Sequence, residues 1–197
     1  MRTKILEYLN KTLPKRRLYH TLGVEKYAIR LARIYNLNET KASVAALLHD
    51  VAKPYNTEDM LALAGKYGLV FDEYELSQPT LMHGPLAAAM AKRLFRLRDK
   101  GVLAAIEYHT TGRKDMTLIE KIIYLADLAE SSRSFEGIDQ IRRLCEIDIN
   151  QAMITALKNE IMHLLECNMI VHPRSVEALN QLMMEATAEE KAKEKKE

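Results

Sequence analysis

The chain has 197 residues, 48% of them hydrophobic and 28% charged, with a formal net charge of +2 at pH 7. This length suits one domain with a sizeable core, and the weak net charge argues against a nucleic-acid-binding protein. No apolar run reaches the roughly 20 residues that a membrane-spanning helix needs, and residues 1–5 lack the apolar segment of a secretory signal. Cys145 and Cys167 have no paired spacing that would indicate a disulfide scaffold or a zinc site. We therefore expect a cytoplasmic protein with neither membrane nor nucleic acid as partner.

Glycine and proline are scarce, and the composition is that of helix-forming sequences. Apolar residues recur at helical spacing, and no segment alternates long enough to predict a strand. The predicted helices cover residues 5–9, 18–35, 41–52, 57–67, 84–98, 101–109, 118–131, 139–145, 150–167 and 176–186. We expect an all-α single domain over residues 1–186. Residues 187–197 are almost entirely Glu, Lys and Ala, which predicts a disordered or frayed tail.

One predicted helix is apolar on every side and runs into His49 and Asp50, with Lys53 and Pro54 after them. A helix of this kind is usually buried. An ionised carboxylate and an imidazole in such surroundings are costly unless a charge or a metal compensates them. Adjacent side chains diverge by about 100° on a regular helix, so this pair suits two metals, or one metal at a helix end.

Four more candidate ligands lie on or at the ends of predicted helices: His20, His83, His109 and Asp127. A single histidine there is more often a hydrogen-bonded core residue than a ligand, but this explanation is weaker for the whole group. Imidazole and carboxylate together suit iron, manganese or zinc better than calcium. Because no thiolate takes part, a catalytic site with open positions is favoured over a structural zinc site. Two metals sharing a carboxylate could hold a phosphate and a hydroxide for in-line attack.

The order His20, His49-Asp50, Asp127 resembles the HD superfamily of metal-dependent phosphohydrolases. Five blocks resemble one branch more closely, the YqeK-type symmetrical bis(5'-nucleosyl)-tetraphosphatases: residues 17–24, 49–53, 83–85, 109–113 and 126–133. The resemblance implies an HD-domain helical bundle with the metal site between helices. It also implies cleavage of diadenosine tetraphosphate in the middle to give two ADP, with one or two iron ions, or manganese or another divalent transition metal.

By this resemblance, the metal ligands are His20, His49, Asp50 and Asp127, while His83 and His109 either complete a second metal site or contact the ADP phosphates. The residues that the resemblance places beside the nucleotide are His20, Gly23, Asp50, Thr80, Leu81, Met82, His83, His109, Arg133, Ile170, Val171, His172, Pro173, Arg174 and Ser175.

Asp50 and Lys53 are the candidates for catalysis. In this hypothesis a metal-bound hydroxide attacks a central phosphorus, and Asp50 holds the metal and accepts a hydrogen bond from the attacking water. Lys53 and Arg133 offset the negative charge on the phosphoryl oxygens, so Lys53 also counts as a substrate-binding residue. The alternative for Lys53 is a solvated charge at a helix C-terminus.

Four other positions have two interpretations each. Arg16 and Arg17 are more consistent with surface charge than with function. Glu130, on the same helix face as Asp127, either orients a ligand or pairs with a surface lysine. Gly23 interrupts a helical pattern, which indicates the close approach of a ligand or of another helix.

The rival functions are another HD-type phosphohydrolase acting on an alarmone, cyclic nucleotide or deoxynucleotide, a non-catalytic nucleotide-sensing module, and a helical interaction domain. The long helices also make a homodimer plausible.

Overall fold

The computed structural model describes residues 1–194, which fold into eleven α-helices and one short 3-10 helix. The helices are α1 (Arg2–Thr12), α2 (Lys15–Ile34), α3 (Glu39–Leu48), α4 (Thr57–Tyr67), α5 (Glu73–Ser77), α6 (His83–Leu94), α7 (Lys100–Glu107), α8 (Leu118–Ala129), α9 (Ile138–Ile147), α10 (Ile149–Glu166) and α11 (Pro173–Glu194), with the 3-10 helix at Pro79–Leu81. This part of the chain contains no β-strand, and the prediction of an all-α bundle is confirmed. None of its helices combines the length and apolarity needed to span a bilayer.

Helix α3 lies at the centre of the bundle. It packs against α1, α2, α6, α7 and α8, and every residue from 42 to 48 is buried. Asn38 caps its start by accepting a hydrogen bond from the Lys41 amide at 3.0 Å. Burial on all sides is what the uniformly apolar sequence predicts.

The predicted continuation of this helix to residue 52 is wrong, because α3 ends at Leu48. The chain then tightens into turns in which the Val51 amide bonds the Leu48 carbonyl at 3.2 Å and the Lys53 amide bonds the Asp50 carbonyl at 3.0 Å, each three residues back. Pro54 has no N–H to continue a helical ladder. His49 and Asp50 therefore stand at a helix end, where their side chains can point toward the same space.

Helix α5 and the 3-10 helix after it were not predicted. The signal for α5 was present as a capping box, in which the Asp72 side chain accepts from the Glu75 amide and the Glu75 side chain accepts from the Asp72 amide. At the other end of the chain, residues 187–194 of the predicted tail continue α11. Residues 195–197 of that tail lie outside the described residues.

Helices α6 and α7 approach each other so closely that only glycine fits at position 84. A Cβ there would lie 2.5 Å from the Glu107 carbonyl oxygen, a backbone atom that cannot turn away. Gly65 in α4 provides a comparison, because it is also a helical glycine but a Cβ there meets no atom within 4 Å.

We predict that Gly84→Ala lowers the free energy of unfolding by about 1–3 kcal/mol, the usual cost of overpacking. Gly65→Ala is the control, and its effect is stabilising or neutral because alanine favours helix by up to about 1 kcal/mol. Urea unfolding of both variants measures the difference. Equal midpoints for the two variants would contradict the close contact.

Candidate metal centre

Six donors from five helices meet at one point. His20 lies in α2, His83 begins α6 and Asp127 is in the last turn of α8, while His49 with Asp50 follows α3 and His109 follows α7. Asp50 is at the middle of the group. Its Oδ1 lies 3.2 Å from His83 Nε2 and 3.9 Å from His109 Nε2. Its Oδ2 lies 3.6 Å from His49 Nε2 and 4.0 Å from His20 Nε2.

Asp127 supplies a second carboxylate to the same centre. Its Oδ1 lies 3.0 Å from His20 Nε2 and 3.8 Å from His49 Nε2. The ring nitrogens of His83 and His109 are also adjacent, with 3.0 Å between their Nε2 atoms. The structure thus brings together all six residues that the sequence singled out as possible metal ligands.

Every imidazole of the centre is oriented by an acceptor at its outer nitrogen. His49 Nδ1 lies 2.6 Å from the Ala46 carbonyl, His83 Nδ1 2.5 Å from the Thr80 carbonyl and His109 Nδ1 2.7 Å from the Ile106 carbonyl, so each bonds three residues back. His20 Nδ1 lies 3.0 Å from Glu130 Oε1. An acceptor at that distance requires the proton on Nδ1. The Nε2 lone pair of each ring is then free to face the centre, as in metal-binding histidines.

This arrangement leaves acceptors facing acceptors. His20 Nε2 and His49 Nε2 are buried without a hydrogen-bond partner among the described residues. His20 Nε2 lies 3.0 Å from Asp127 Oδ1. In this tautomer Nε2 carries a lone pair and no proton, so the two atoms do not form a hydrogen bond. A cation resolves this repulsion, and mixed imidazole and carboxylate donors suit a divalent transition metal. Two of the donor trios share Asp50, so the residues fit one ion or a close pair: His20, His49 and Asp50, and Asp50, His83 and His109.

The protonation states of Asp50 and His109 also favour a bound cation. Burial would raise the pKa of Asp50, but positive charge at the rings of His49 and His83 holds it well below its usual range, and a cation bound between neutral rings would lower it in the same way. Burial, with the adjacent His83 and His49, lowers the pKa of His109 to about 3. His109 therefore stays neutral at physiological pH, which is the state that binds metal.

Three cations surround the two carboxylates. Arg17 pairs with Asp50 Oδ2, Arg133 Nη2 lies 2.8 Å from Asp127 Oδ1, and Lys53 Nζ lies 3.2 Å from His83 Nδ1. Burial, reinforced by the charges of Arg17 and Arg133, lowers the pKa of Lys53. The interpretation of Arg17 as surface charge is wrong. Arg17 precedes His20 by three positions and shares its helix face, a signal that the sequence contained.

A cavity of about 330 Å³ opens beside the centre. Asp127 and nine of the residues that the sequence placed beside the nucleotide line it: Lys53, Thr80, Leu81, His83, His109, Arg133, Ile170, His172 and Ser175. Gln78, Tyr124 and Glu160 also line it and carried no signal in the sequence. His20 and Asp50 lie in the metal centre itself. Met82 is fully buried in the core, and Val171, Pro173 and Arg174 do not line the cavity.

The start of α11 is fixed to α5 by an ion-pair network. Asp72 Oδ2 lies 3.0 Å from His172 Nε2 and 2.9 Å from Arg174 Nη2, and Arg174 Nη1 lies 2.9 Å from Glu75 Oε1. Arg174 is therefore engaged with carboxylates on α5. The network holds the wall of the cavity that residues 170 and 172 form. No local pattern predicts it, because its partners lie about a hundred positions apart in the chain.

Glu130 is a buried support for the centre, which decides between its two interpretations. It is fully buried, bonds His20 Nδ1, and accepts from the Ser132 amide at 2.7 Å and from the Ser132 hydroxyl. The absence of a side chain at Gly23 leaves room for the Glu130 carboxylate, since a Cβ at position 23 would lie 2.6 Å from Glu130 Oε2. Gly23 thus lies against Glu130, and it does not line the 330 Å³ cavity.

Arg142 of α9 fixes the loop around Glu130. Its guanidinium donates to the carbonyls of Ala129, Glu130 and Arg133 at 3.0, 2.9 and 3.0 Å. One side chain thereby positions the residue that orients His20 and the arginine that pairs with Asp127.

Comparison with known proteins agrees with this geometry. The model of the HD domain family matches residues 17–131. Two proteins called "Bis(5'-nucleosyl)-tetraphosphatase, symmetrical" are similar to this chain. That of Bacillus subtilis is 37% identical and the alignment covers 92% of this chain and 97% of the relative; that of Halalkalibacterium halodurans is also 37% identical, with 93% and 98% covered. The crystal structure of a protein from Clostridium acetobutylicum, described as a "predicted HD superfamily hydrolase involved in NAD metabolism", superposes with a TM-score of 0.89 at 37% identity, covering 93% of this chain and 97% of that one.

We predict that Glu130→Gln weakens metal binding about 10- to 100-fold, the usual effect of losing a residue that orients a ligand. The change removes the charge that holds the His20 proton on Nδ1 and keeps the side-chain volume. Glu136→Gln, an exposed change in the same loop, is the control. Titration of each metal-free variant with Mn²⁺ and Fe²⁺ against a competing chelator measures the affinities, and equal values for both variants would rule out the orienting role.

Proposed function

Because the chain belongs to the HD domain family and, within it, to the family of symmetrical bis(5'-nucleosyl)-tetraphosphatases formed by its Bacillus and Halalkalibacterium relatives, we propose that it hydrolyses diadenosine tetraphosphate in the middle to give two ADP. The observation that carries the proposal is the acceptor-only centre of four imidazoles and two carboxylates, bordered by three cations. Such a centre suits the hydrolysis of a polyanionic substrate.

The cavity beside the centre has two kinds of wall. Lys53 and Arg133 line the side of the metal donors, and apolar residues form much of the rest: Leu81, Leu128, Leu164, Met169 and Ile170. Phosphates are held by cations, whereas the faces of a base favour apolar surroundings. We infer that one ADP half of the substrate binds with its phosphates at the centre and its base between the 3-10 helix and the segment before α11.

The reaction adds water across the central phosphoanhydride. The new P–O bond forms at one central phosphorus, and the bridging oxygen leaves with the electron pair on the other ADP. The four imidazoles and the two carboxylates would hold a divalent metal, and that metal would make water nucleophilic at neutral pH and polarise the phosphoryl oxygens. Asp50 accepts a hydrogen bond from the attacking water. Lys53, Arg17 and Arg133 neutralise the charge that develops on the phosphates and the leaving ADP.

We further propose iron as the metal, as one or two ions, with manganese as the nearest substitute, because mixed imidazole and carboxylate donors suit both. We place the protein in the cytoplasm, where its two free cysteines stay reduced. The domain over residues 1–186 and a homodimer remain predictions.

The proposed reaction is tested by the products of the purified protein with added Fe²⁺ or Mn²⁺. We expect diadenosine tetraphosphate to give ADP alone, and a chelator to abolish the rate. The formation of ATP with AMP, or full activity in the chelator, would contradict the proposal. NAD, guanosine alarmones, cyclic nucleotides and deoxynucleotides are assayed in parallel, because faster cleavage of one of them would identify a different substrate for the same centre.

We predict that Lys53→Met lowers kcat for diadenosine tetraphosphate about 100-fold or more, the typical loss when a group that stabilises transition-state charge is removed. Methionine preserves most of the buried stem. Lys121→Met, the loss of another half-buried lysine that bonds Asn150, is the control and leaves kcat within about twofold. Steady-state kinetics at saturating metal separate the two outcomes, and equal rates for both variants would show that Lys53 is only a surface charge.

A further inference from the structure

The metal centre borders a second space. A cleft of about 650 Å³ is lined by His20, Arg16, Arg17, Tyr19, Ser132 and Arg133, together with the residue before α2. It shares only Arg133 with the 330 Å³ cavity. Because His20 faces the cleft and His83, His109 and Asp127 face the cavity, the metal donors lie between the two spaces.

The positive charges at the start of α2 are only partly compensated by the described residues. Lys15, Arg16 and Arg17 occupy its first turn, which contains no acidic residue. Cations are unfavourable there, because the N-terminus of a helix is the positive end of its dipole. Arg17 pairs with Asp50, but no carboxylate in the described part of the chain pairs with Arg16. A polyanionic ligand in the cleft would relieve this repulsion.

Tyr19 provides an aromatic surface in the same cleft. It is 69% exposed, whereas Phe135, the other large exposed aromatic among residues 1–194, is 37% exposed. An exposed ring of this kind is a platform on which a nucleobase can stack. The cleft therefore combines a base platform with three arginines, next to the metal centre.

A symmetrical cut requires one ADP half on each side of the metal centre. The 330 Å³ cavity is at the lower end of the range of roughly 300–1,000 Å³ for ligand pockets, which suits one half of the substrate. Resting on the proposed function, we propose that the second nucleoside binds in the 650 Å³ cleft, with its base on Tyr19 and the phosphates of its half held by Arg16 and Arg17. The cavity and the cleft then each hold one ADP half, one on either side of the metal centre, and this accounts for the symmetrical cut.

The test compares diadenosine tetraphosphate with adenosine 5'-tetraphosphate, which has the four phosphates but one nucleoside. For Tyr19→Ala, we expect the ratio of kcat/KM between the two substrates to fall about tenfold, because only the dinucleotide loses a stacked base. Tyr19→Phe retains the ring and restores the ratio. Arg16→Ala raises the KM of both substrates, and Arg143→Ala, an exposed arginine on α9 outside both spaces, is the control.

An unchanged ratio in Tyr19→Ala, in an enzyme that still makes two ADP, overturns the cleft assignment and leaves the proposed function intact. A wild-type protein that makes no ADP from the dinucleotide overturns both. If adenosine 5'-tetraphosphate binds but is not cleaved, its affinity is measured as an inhibition constant and takes the place of its kcat/KM in the comparison. The result that supports the assignment and the result that overturns it stay the same.

Discussion

The structure depends on how the buried carboxylate of Asp50 is compensated. A carboxylate in the interior is costly unless positive charge or hydrogen bonds surround it. Here Arg17 pairs with it, and the four imidazoles around it complete a donor set in which a bound cation would provide the rest of the compensation. Because the imidazoles come from α2, α6, α7 and the end of α3, the helices must meet at this point for the charge to be tolerated. The bundle and the centre therefore depend on each other, because five helices position the donors and each imidazole has an acceptor at its outer nitrogen.

Much of this could be read from the sequence, because the relevant signals are local. The helical periodicity gave the bundle, and the uniformly apolar run before His49 predicted its central helix. Arg17 and Glu130 were also within reach, since each lies three positions from a metal donor on the same helix face. The capping box at Asp72 and Glu75 was a local signal for α5 of the same kind, although α5 was not predicted.

The remaining features depend on contacts between distant segments or on the exact end of a helix. The turn after Leu48 sets whether His49 and Asp50 diverge or converge, and periodicity does not locate such an end. The carbonyls behind His83 and His109 lie three residues back only because both rings stand where a helix begins or ends. The engagement of Arg174 with α5 joins segments about a hundred residues apart, and no local pattern in the sequence indicates it.

The match to the HD domain family ends at residue 131, and this boundary separates two parts of the site. All six donors lie before it, whereas Glu160, Leu164, Ile170 and Ser175, which complete the cavity wall, lie after it. One part of the cavity wall therefore lies outside the segment that carries the donors, whereas Thr80 and Leu81, on the same wall, lie within it. Substitutions at Glu160, Leu164, Ile170 or Ser175 therefore reshape the cavity while all six donors stay in place.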